Sequence, residues 1–413
     1  MISYHDALQI IQTIGHPLSS EWITLNKAIG RVVTEEIKSP YPTPAFDQSA
    51  MDGFALCADE TVGASPDHPL LFTIKEVIAA GQVGTYFGAQ TAIKIMTGAP
   101  IPQGYTTVLP VEEADFDPPH LQETLRITSP LSTHRHVRFV GEDIQQGDLL
   151  LHPGDIITPH EIMVCKTVGL SHIAVSKQPS IALLSTGREL STQDDLPCAL
   201  GDIYNSNTPY LQAVLQKDHL EPVLLESLKD DPLRFQTIIR ALLQRDSPPT
   251  LIISTGAVSK GDFDFIPSAL EALGATIHFH GVGIRPGKPI LFATLGTTIY
   301  MGLPGNPISA AVGYEFFIKP LIQMLQGAPC DSPLQAQLET PFIKKGPFRQ
   351  FLKARAYVNT EATLCVCLLN GQESAKVNPL LKMNAWVILD ENTKDISKGQ
   401  FVPLIMVGAL QHD

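Results

Sequence analysis

Three stretches of small and polar residues have the composition of ligand-binding loops. They are Ser185-Thr186-Gly187-Arg188-Glu189, the segment from Ser254 to Asp264, and Gly302-Leu303-Pro304-Gly305-Asn306-Pro307-Ile308-Ser309. Glycine allows positive φ and a close approach of the backbone to a ligand, and free N–H groups at a helix start favour an anion such as phosphate. The loops therefore favour a phosphorylated ligand, although Gly, Ser and Thr are also the ordinary residues of strand-to-helix loops.

Two carboxylates, Glu189 and Asp264, lie in the same loops as these anion donors. Phosphate alone does not need them, because acids accept hydrogen bonds or hold a cation. A ligand with a phosphate and an amino-substituted heterocycle, or with Mg²⁺ between phosphates, would use both kinds of group. The alternative is that the two acids only complement the positive end of a helix dipole.

The segment Arg285-Pro286-Gly287-Lys288-Pro289 presents two cations on a backbone stiffened by proline. Arginine binds an oxyanion through two parallel hydrogen bonds, and lysine adds a point charge. This turn is a candidate oxyanion site, with a solvated turn as the alternative. The histidine pairs His134/His136 and His278/His280 are weaker candidates for a metal, because neither has a third ligand at the usual spacing.

The elements that must position these loops follow an alternating pattern of apolar runs and helical stretches between residues 179 and 326. This pattern is typical of a parallel sheet, in which ligands bind beyond the carboxyl ends of the strands. We predict strands over 181–185, 222–227, 250–254, 276–281 and 299–303, with helices near 208–219, 232–244, 265–273 and 308–325.

Short strands separated by Gly and Pro predict mostly β structure on both sides of this sheet, over 47–140 and after residue 329. Residues 3–13 have the spacing of an amphipathic helix, and 25–33 predict a second helix and a strand. Thr158-Pro159-His160-Glu161 predicts a helix start, with a Thr cap, Pro at the first position and an acid in the first turn.

Composition excludes several classes of protein. The 413 residues carry 29 Lys and Arg against 42 Asp and Glu, a net charge of −13, which disfavours nucleic acid as a partner. The 6 cysteines form no CxxC pair, as expected in a reducing compartment, so we predict a cytoplasmic protein. We expect no signal peptide and no membrane span, because the charge-free run from Lys288 to Glu315 is broken by Pro and Gly.

Seven motifs, in the same order along the chain, resemble those of the molybdopterin molybdenumtransferases (MoeA), relatives of the C-terminal part of gephyrin. They are Gln48-Ser49-Ala50-Met51-Asp52-Gly53-Phe54-Ala55, Ile95-Met96-Thr97-Gly98-Ala99-Pro100, Gly141-Glu142-Asp143-Ile144, Ser185-Thr186-Gly187 with Glu189-Leu190, the Ser254 to Asp264 loop, Arg285-Pro286-Gly287-Lys288-Pro289 and Gly302-Leu303-Pro304-Gly305-Asn306-Pro307. The resemblance implies the last step of molybdenum cofactor synthesis. In that step adenylylated molybdopterin and molybdate react, the metal enters the dithiolene and AMP is released, with Mg²⁺ as cofactor.

The resemblance also implies a multidomain α/β plus β fold. A linker domain would come from residues 1–40 and 147–176, an inserted β domain from 41–146, and a central doubly wound α/β domain with a mostly parallel sheet from 177–328. Residues 329–413 would form a C-terminal β-barrel. The family forms homodimers with an active site between subunits, to which Asp52, Thr97 and Asp143 would contribute from the partner.

Site residues follow from the resemblance motif by motif. Those implied to be catalytic are Asp52, Asp143, Glu189, Asp264 and Lys288, with Glu189 and Asp264 also implied to bind Mg²⁺. Those implied to bind the pterin nucleotide or molybdate are Thr97, Ser185, Thr186, Gly187, Asp230, Ser254, Gly256, Ser259, Arg285, Pro304, Gly305, Asn306, Ser309, Lys353 and Ser374.

The sequence departs from the family pattern at several of these loops. Arg188 stands where Asp is common, Ala257 where Gly is common, Arg285 where Lys is frequent, and Lys353 where Arg is usual. Lysine keeps the charge of arginine but not its paired donors, so the molybdate affinity, or the selectivity for molybdate over tungstate and sulfate, stays open at the level of sequence.

Two other functions remain open at the level of sequence. One is the preceding adenylyl transfer to molybdopterin, which uses a similar α/β domain; the β domains on both sides favour metal insertion. The other is a carrier or scaffold that binds the pterin without turnover. The resemblance also implies contacts with an adenylyltransferase and with recipient molybdoenzymes.

Overall fold

The computed structural model describes residues 1–116, 124–191, 198–259 and 264–412. Its first 40 residues form helix α1 (Tyr4–Ile14) and strands β1 (Ser20–Thr24) and β2 (Ile37–Lys38). Ser3 caps α1 and exchanges hydrogen bonds with Asp6, and Ala7 and Ile11 are buried, as the helical spacing predicted. The second predicted helix is wrong: residues 25–27 form only one 3₁₀ turn.

A β region is inserted after β2. Its strands are β3 (Gln48–Ser49), β4 (Gly53–Leu56), β5 (Leu70–Ile78), β6 (Thr91–Ile95), β7 (Thr107–Pro110), β8 (Asp115–Phe116), β9 (Thr124–Ile127) and β10 (Val137–Arg138). Six of them form a curled sheet in the order β7-β4-β6-β5-β9-β8, and β3 pairs with β10. Phe54, Phe72 and Leu125 are fully buried in its core. These strands confirm the mostly β structure predicted over 47–140.

The chain then returns to its first segment. β11 (Leu149–Leu151), α2 (Pro159–Thr167) and β12 (His172–Ser176) follow the insert. β11 pairs with β2 and β12 with β1, so two separated segments share one core. The predicted start of α2 is confirmed: Thr158 is the N-cap, Pro159 is the first helical residue and the Glu161 carboxylate accepts a hydrogen bond from the Thr158 N–H.

The central region has helices on both faces of a sheet of six strands. Its elements are β13 (Ile181–Thr186), α3 (Asn207–Lys217), β14 (Leu224–Leu228), α4 (Pro232–Leu243), β15 (Leu251–Thr255), α5 (Ile266–Ala272), β16 (Thr276–His280), β17 (Ile284–Arg285), β18 (Leu291–Leu295), β19 (Thr298–Leu303), α6 (Pro307–Gly313) and α7 (Lys319–Gln326). The sheet order is β14-β13-β15-β19-β18-β16, and the first four strands are parallel. One core covers each face of the sheet, because alternate residues of its buried strands point to opposite faces.

Two details differ from the predicted pattern. The strand predicted over 276–281 was expected to continue the parallel sheet. Instead, β16 lies at the edge of the sheet and pairs antiparallel with β18, a strand that was not predicted. The predicted helix over 308–325 is interrupted by a π-helical turn, Tyr314–Ile318, between α6 and α7. The first difference arises because residues 291–295 form an additional strand that pairs antiparallel with both β16 and β19.

The C-terminal region is a closed β-barrel. Its strands are β20 (Leu334–Leu338), β21 (Phe342–Ile343), β22 (Arg349–Val358), β23 (Leu364–Leu368), β24 (Ala385–Leu389), β25 (Asp395–Ile396), β26 (Phe401–Met406) and β27 (Gln411–His412). The order β22-β23-β20-β26-β24 closes on itself because β24 pairs again with β22. Phe351 of the barrel stacks on Phe316 at a centroid distance of 3.9 Å.

The architecture is therefore multidomain α/β plus β, with the inserted β region, linker, central sheet and barrel that the resemblance implied. The exact domain limits stay a prediction. The described helices include none with the length and hydrophobicity that a membrane crossing requires.

Candidate functional site

The three loops singled out in the sequence meet at one edge of the central sheet. They follow β13, β15 and β19, which are neighbours in the sheet. The Thr186 hydroxyl donates to the Thr255 carbonyl at 3.2 Å, and the Gly256 N–H donates to the Leu303 carbonyl at 3.0 Å. The carboxyl ends of these strands thus bring Ser185, Thr186, Ser254 and Gly256 together.

Gly256 is required by this close approach. Its φ is +89°, and a Cβ at this position would lie 2.1 Å from the Thr186 carbonyl oxygen. The next residue, Ala257, has a φ of +51°, in the left-handed region that costs a residue with a side chain about 1–2 kcal/mol. The sequence departure at Ala257 therefore falls on a position whose backbone favours glycine.

The acidic side of the site contains Asp230, Glu189 and Asp264. Burial raises the pKa of Asp230, and the charges of Glu189 and Asp264 raise it further. The Arg188 N–H and guanidinium oppose this rise, with Arg188 Nε 3.8 Å from Asp230 Oδ2. These interactions place the three carboxylates in one electrostatic environment, to which Arg188 contributes a positive charge.

Within the described ranges, no three His, Cys, Asp or Glu side chains come together as a metal site. In one of the two histidine pairs, His278 contacts the Thr294 hydroxyl and His280 donates to the Val258 carbonyl at 2.6 Å. Ser259, within the second loop, is exposed. Lys260, Gly261, Asp262 and Phe263, which belong to the same sequence motif, lie outside the described residues.

The third loop leads into helix α6. Asn306 precedes its first residue, and Ser309, in the first turn, is only 4% exposed. The Ile308 N–H points to the barrel, where the Ser374 carbonyl lies 3.4 Å away. This contact places Ser374 of the barrel beside the first turn of α6, the turn that contains Ser309.

The cationic turn lies beside the same helix. A Cβ on Gly287 would lie 3.7 Å from the Ser309 carbonyl, so the backbones of the turn and α6 are adjacent. Arg285 is exposed and lines a cavity of about 210 Å³ together with Gln372 and Glu373. Lys288 is also exposed and lies over the Phe348 ring at 5.8 Å.

Lys353 has a different environment from the other predicted cations. It is fully buried, and its ammonium group donates to the carbonyls of Glu373 at 3.2 Å and Lys376 at 3.0 Å. Burial lowers the pKa of Lys353. The side chain therefore contacts the backbone of a loop and is not exposed at the site surface.

The inserted region carries a separate group of predicted site residues. The Asp52 carboxylate accepts hydrogen bonds from the N–H and the hydroxyl of Thr97, and both residues are exposed. Asp143 is exposed as well. Among the described residues, no hydrogen bond or ion pair joins these three side chains to the loops of the central sheet.

Several residues of the site were not recognised from the sequence. Asn205 Nδ2 donates to the Ser185 hydroxyl at 2.9 Å, and Asn207 Nδ2 donates to the Gly305 carbonyl at 2.7 Å. Tyr300 donates from its hydroxyl to Ser254. Asparagine before a helix is the ordinary signal of an N-cap, so that signal predicts a helix start and not a contact between loops.

Comparison with known families gives two matches along the chain. The description "MoeA N-terminal region (domain I and II)" matches residues 2–169, and "Probable molybdopterin binding domain" matches residues 182–324. The crystal structure of a molybdopterin biosynthesis moeA protein from Pyrococcus horikoshii OT3 has a similar fold, with a TM-score of 0.80, 24% identity, and coverage of 98% of this chain and 100% of that chain.

Curated relatives cover nearly the same length. A molybdopterin molybdenumtransferase of Staphylococcus aureus (strain COL) is 32% identical over 409 residues, which are 98% of this chain and 95% of the relative. One of Bacillus subtilis (strain 168) is 32% identical over 392 residues, covering 94% and 90%. The chain therefore belongs to the molybdopterin molybdenumtransferase family, whose members are transferases of molybdenum cofactor biosynthesis.

Proposed function

We propose that this protein inserts molybdenum from molybdate into adenylylated molybdopterin and releases AMP. The observation that carries the proposal is that an acidic group and a cationic group lie at one edge of the central sheet. Glu189, Asp230 and Asp264 form the first, and Arg285 lies with the start of α6 in the second. An adenylylated pterin offers amino groups and phosphates, and molybdate is an oxyanion, so the substrates need both groups.

The family resemblance, together with the positions of the residues, supports the following roles. Ser185, Thr186, Gly187, Ser254, Gly256 and Ser259 would hold the pterin nucleotide with hydroxyl and backbone donors. Pro304, Gly305, Asn306, Ser309 and Ser374 would surround molybdate at the start of α6, and Arg285 and Lys288 would balance its charge. Catalysis would be positional and electrostatic, with no covalent enzyme intermediate.

Glu189 and Asp264 would hold Mg²⁺. Carboxylate oxygens are its preferred protein ligands, and Mg²⁺ is usually bound by one or two carboxylates together with substrate phosphates. The shared environment of Glu189, Asp230 and Asp264 fits such a site, completed by the substrate. When bound, the ion would supply positive charge at the adenylyl phosphate.

The separate position of Asp52, Thr97 and Asp143 leads to a proposal about assembly. Asp52 and Asp143 would be catalytic, and Thr97 would bind substrate, in the active site of a second subunit of a homodimer. We further propose that the dimer acts in the cytoplasm. The domain limits that we propose are those predicted from the sequence. It would receive its substrate from an adenylyltransferase and pass its product to molybdoenzymes.

The test is AMP release by the purified protein mixed with adenylylated molybdopterin, Mg²⁺ and molybdate, beside a sample without molybdate. We expect AMP and pterin-bound molybdenum only in the complete mixture. Binding of the pterin without AMP release under any oxyanion would contradict the proposal and favour a carrier. Formation of adenylylated molybdopterin from ATP and molybdopterin would favour the adenylyltransferase alternative.

A further inference from the structure

A buried cation, Lys353, contacts the loop of the barrel that faces helix α6. The loop, residues 369–376, follows β23 and includes Ser374. Lys353, on β22, is 0% exposed, and no ion pair to a carboxylate accompanies it in the described chain. Removing an ammonium group from water is costly unless its donors are satisfied. Here two backbone carbonyls of one short loop accept hydrogen bonds from the Lys353 ammonium group.

The backbone of Lys353 is tied to the same loop. Its N–H donates to Gln372 Oε1 at 2.9 Å, and its carbonyl accepts from Gln372 Nε2 at 2.9 Å. The Leu369 N–H donates to that carbonyl too, at 3.0 Å. Regular pairing of β22 with β23 ends at Ala354 and Leu368, so these bonds extend it into the loop.

The far side of the loop meets the candidate molybdate site. The Ser374 carbonyl lies 3.4 Å from the Ile308 N–H in the first turn of α6. Gln372 and Glu373 line the cavity that Arg285 also lines. A shift of the loop would therefore move one wall of this site.

We propose that Lys353 is a positioning residue, which acts on the molybdate site by holding the backbone of residues 373–376 against helix α6. The part of this inference that concerns turnover rests on the proposed function, whereas the part that concerns the loop does not. Burial lowers the pKa of Lys353. Reaction geometry is sensitive to displacements of about 1 Å, which makes such a loop consequential.

The first test uses the full-length protein without substrates and measures amide hydrogen exchange. We expect residues 373–377 to exchange about 10-fold faster or more in Lys353→Met, with the central sheet unchanged. Lys353→Arg keeps the charge and should stay closer to the original protein. Lys398→Met, at an exposed lysine of the same barrel, is the matched control. If Lys353→Met does not fold, Gln372→Leu removes the other half of the attachment and should give the same local change.

The second test separates positioning from direct binding. We expect Lys353→Met to lower molybdate-dependent turnover by roughly 10–100-fold, and Ser374→Ala in the same protein to lower it little further, because both act through one loop. Faster loop exchange together with this non-additive effect supports the proposal. Unchanged exchange in both Lys353→Met and Gln372→Leu, or independent effects of Lys353→Met and Ser374→Ala, would overturn it.

Discussion

Thr97 donates two hydrogen bonds to one oxygen of Asp52, from its N–H at 2.7 Å and from its hydroxyl at 2.8 Å. These bonds lower the pKa of Asp52, with the backbone bond as the larger cause. The two residues belong to different motifs, 45 positions apart. The fold thus keeps Asp52 as a carboxylate, which is the form that accepts hydrogen bonds or a proton.

Replacing the Thr97 hydroxyl should change this ionisation. Thr97→Val keeps the backbone bond and loses the side-chain bond, so we expect a higher pKa for Asp52. If Asp52 acts as a carboxylate, the acidic limb of the kcat/KM profile moves to higher pH. Thr97→Ser keeps the hydroxyl and is the control. Carboxyl NMR titration measures the pKa directly, and an unchanged value in Thr97→Val would refute the prediction.

Asp264→Asn should abolish or strongly lower AMP release while the fold stays intact. The substitution removes one of the charges of the acidic group but keeps a side chain of similar size. AMP is measured in the complete reaction, and circular dichroism checks the fold. Asp246→Asn, at an exposed acid after α4, should have no effect. Normal turnover by folded Asp264→Asn would rule out this role.

The pKa of Asp230 should shift in opposite directions in two variants. Arg188→Gln removes a positive charge and should raise the pKa of Asp230, whereas Asp264→Asn removes a negative charge and should lower it. Carboxyl NMR titration reads both changes, with Arg188→Lys as the charge-preserving control. Equal Asp230 pKa values in all variants would mean that these charges do not interact.

The same interaction predicts a pH dependence of stability. The pKa of Asp230 is raised in the folded state, so the folded chain binds this proton more tightly than the unfolded chain. The free energy of unfolding therefore falls as pH rises from the unfolded value through the folded one. Arg188→Gln should extend this window to higher pH. Urea denaturation across the acidic range measures it, and the same pH profile in original and variant protein would contradict the prediction.

Gly256→Ala should destabilise the protein strongly. Its Cβ would lie 2.1 Å from the Thr186 carbonyl oxygen at a φ of +89°, so both contact and backbone are unfavourable. We expect a loss of roughly 3 kcal/mol in the free energy of unfolding, against about 1 kcal/mol for Gly274→Ala. Gly274 also has positive φ, +80°, but nothing within 4 Å of a Cβ. Equal losses in denaturant titrations would show that the contact with Thr186 does not matter.

The sequence by itself determined the local elements and the kinds of chemistry present. Thr158-Pro159 and Glu161 define the start of α2 because a cap acts within one turn, and the apolar runs define strands because alternate residues face two buried sides. The family motifs further identified the loops at the carboxyl ends of β13, β15 and β19. This was possible because each loop is a continuous run of residues, which a sequence motif can describe.

Only the tertiary structure decided which of these groups meet. The family motifs predicted the same binding role for Lys353 and Arg285. In the structure Lys353 is buried beneath a loop, whereas Arg285 lines a cavity. The approach of Ser374 to α6 likewise depends on packing between segments far apart in the chain. Burial and charge environment are properties of the closed fold, because they sum contributions from every segment that surrounds a group, and no local pattern contains that sum.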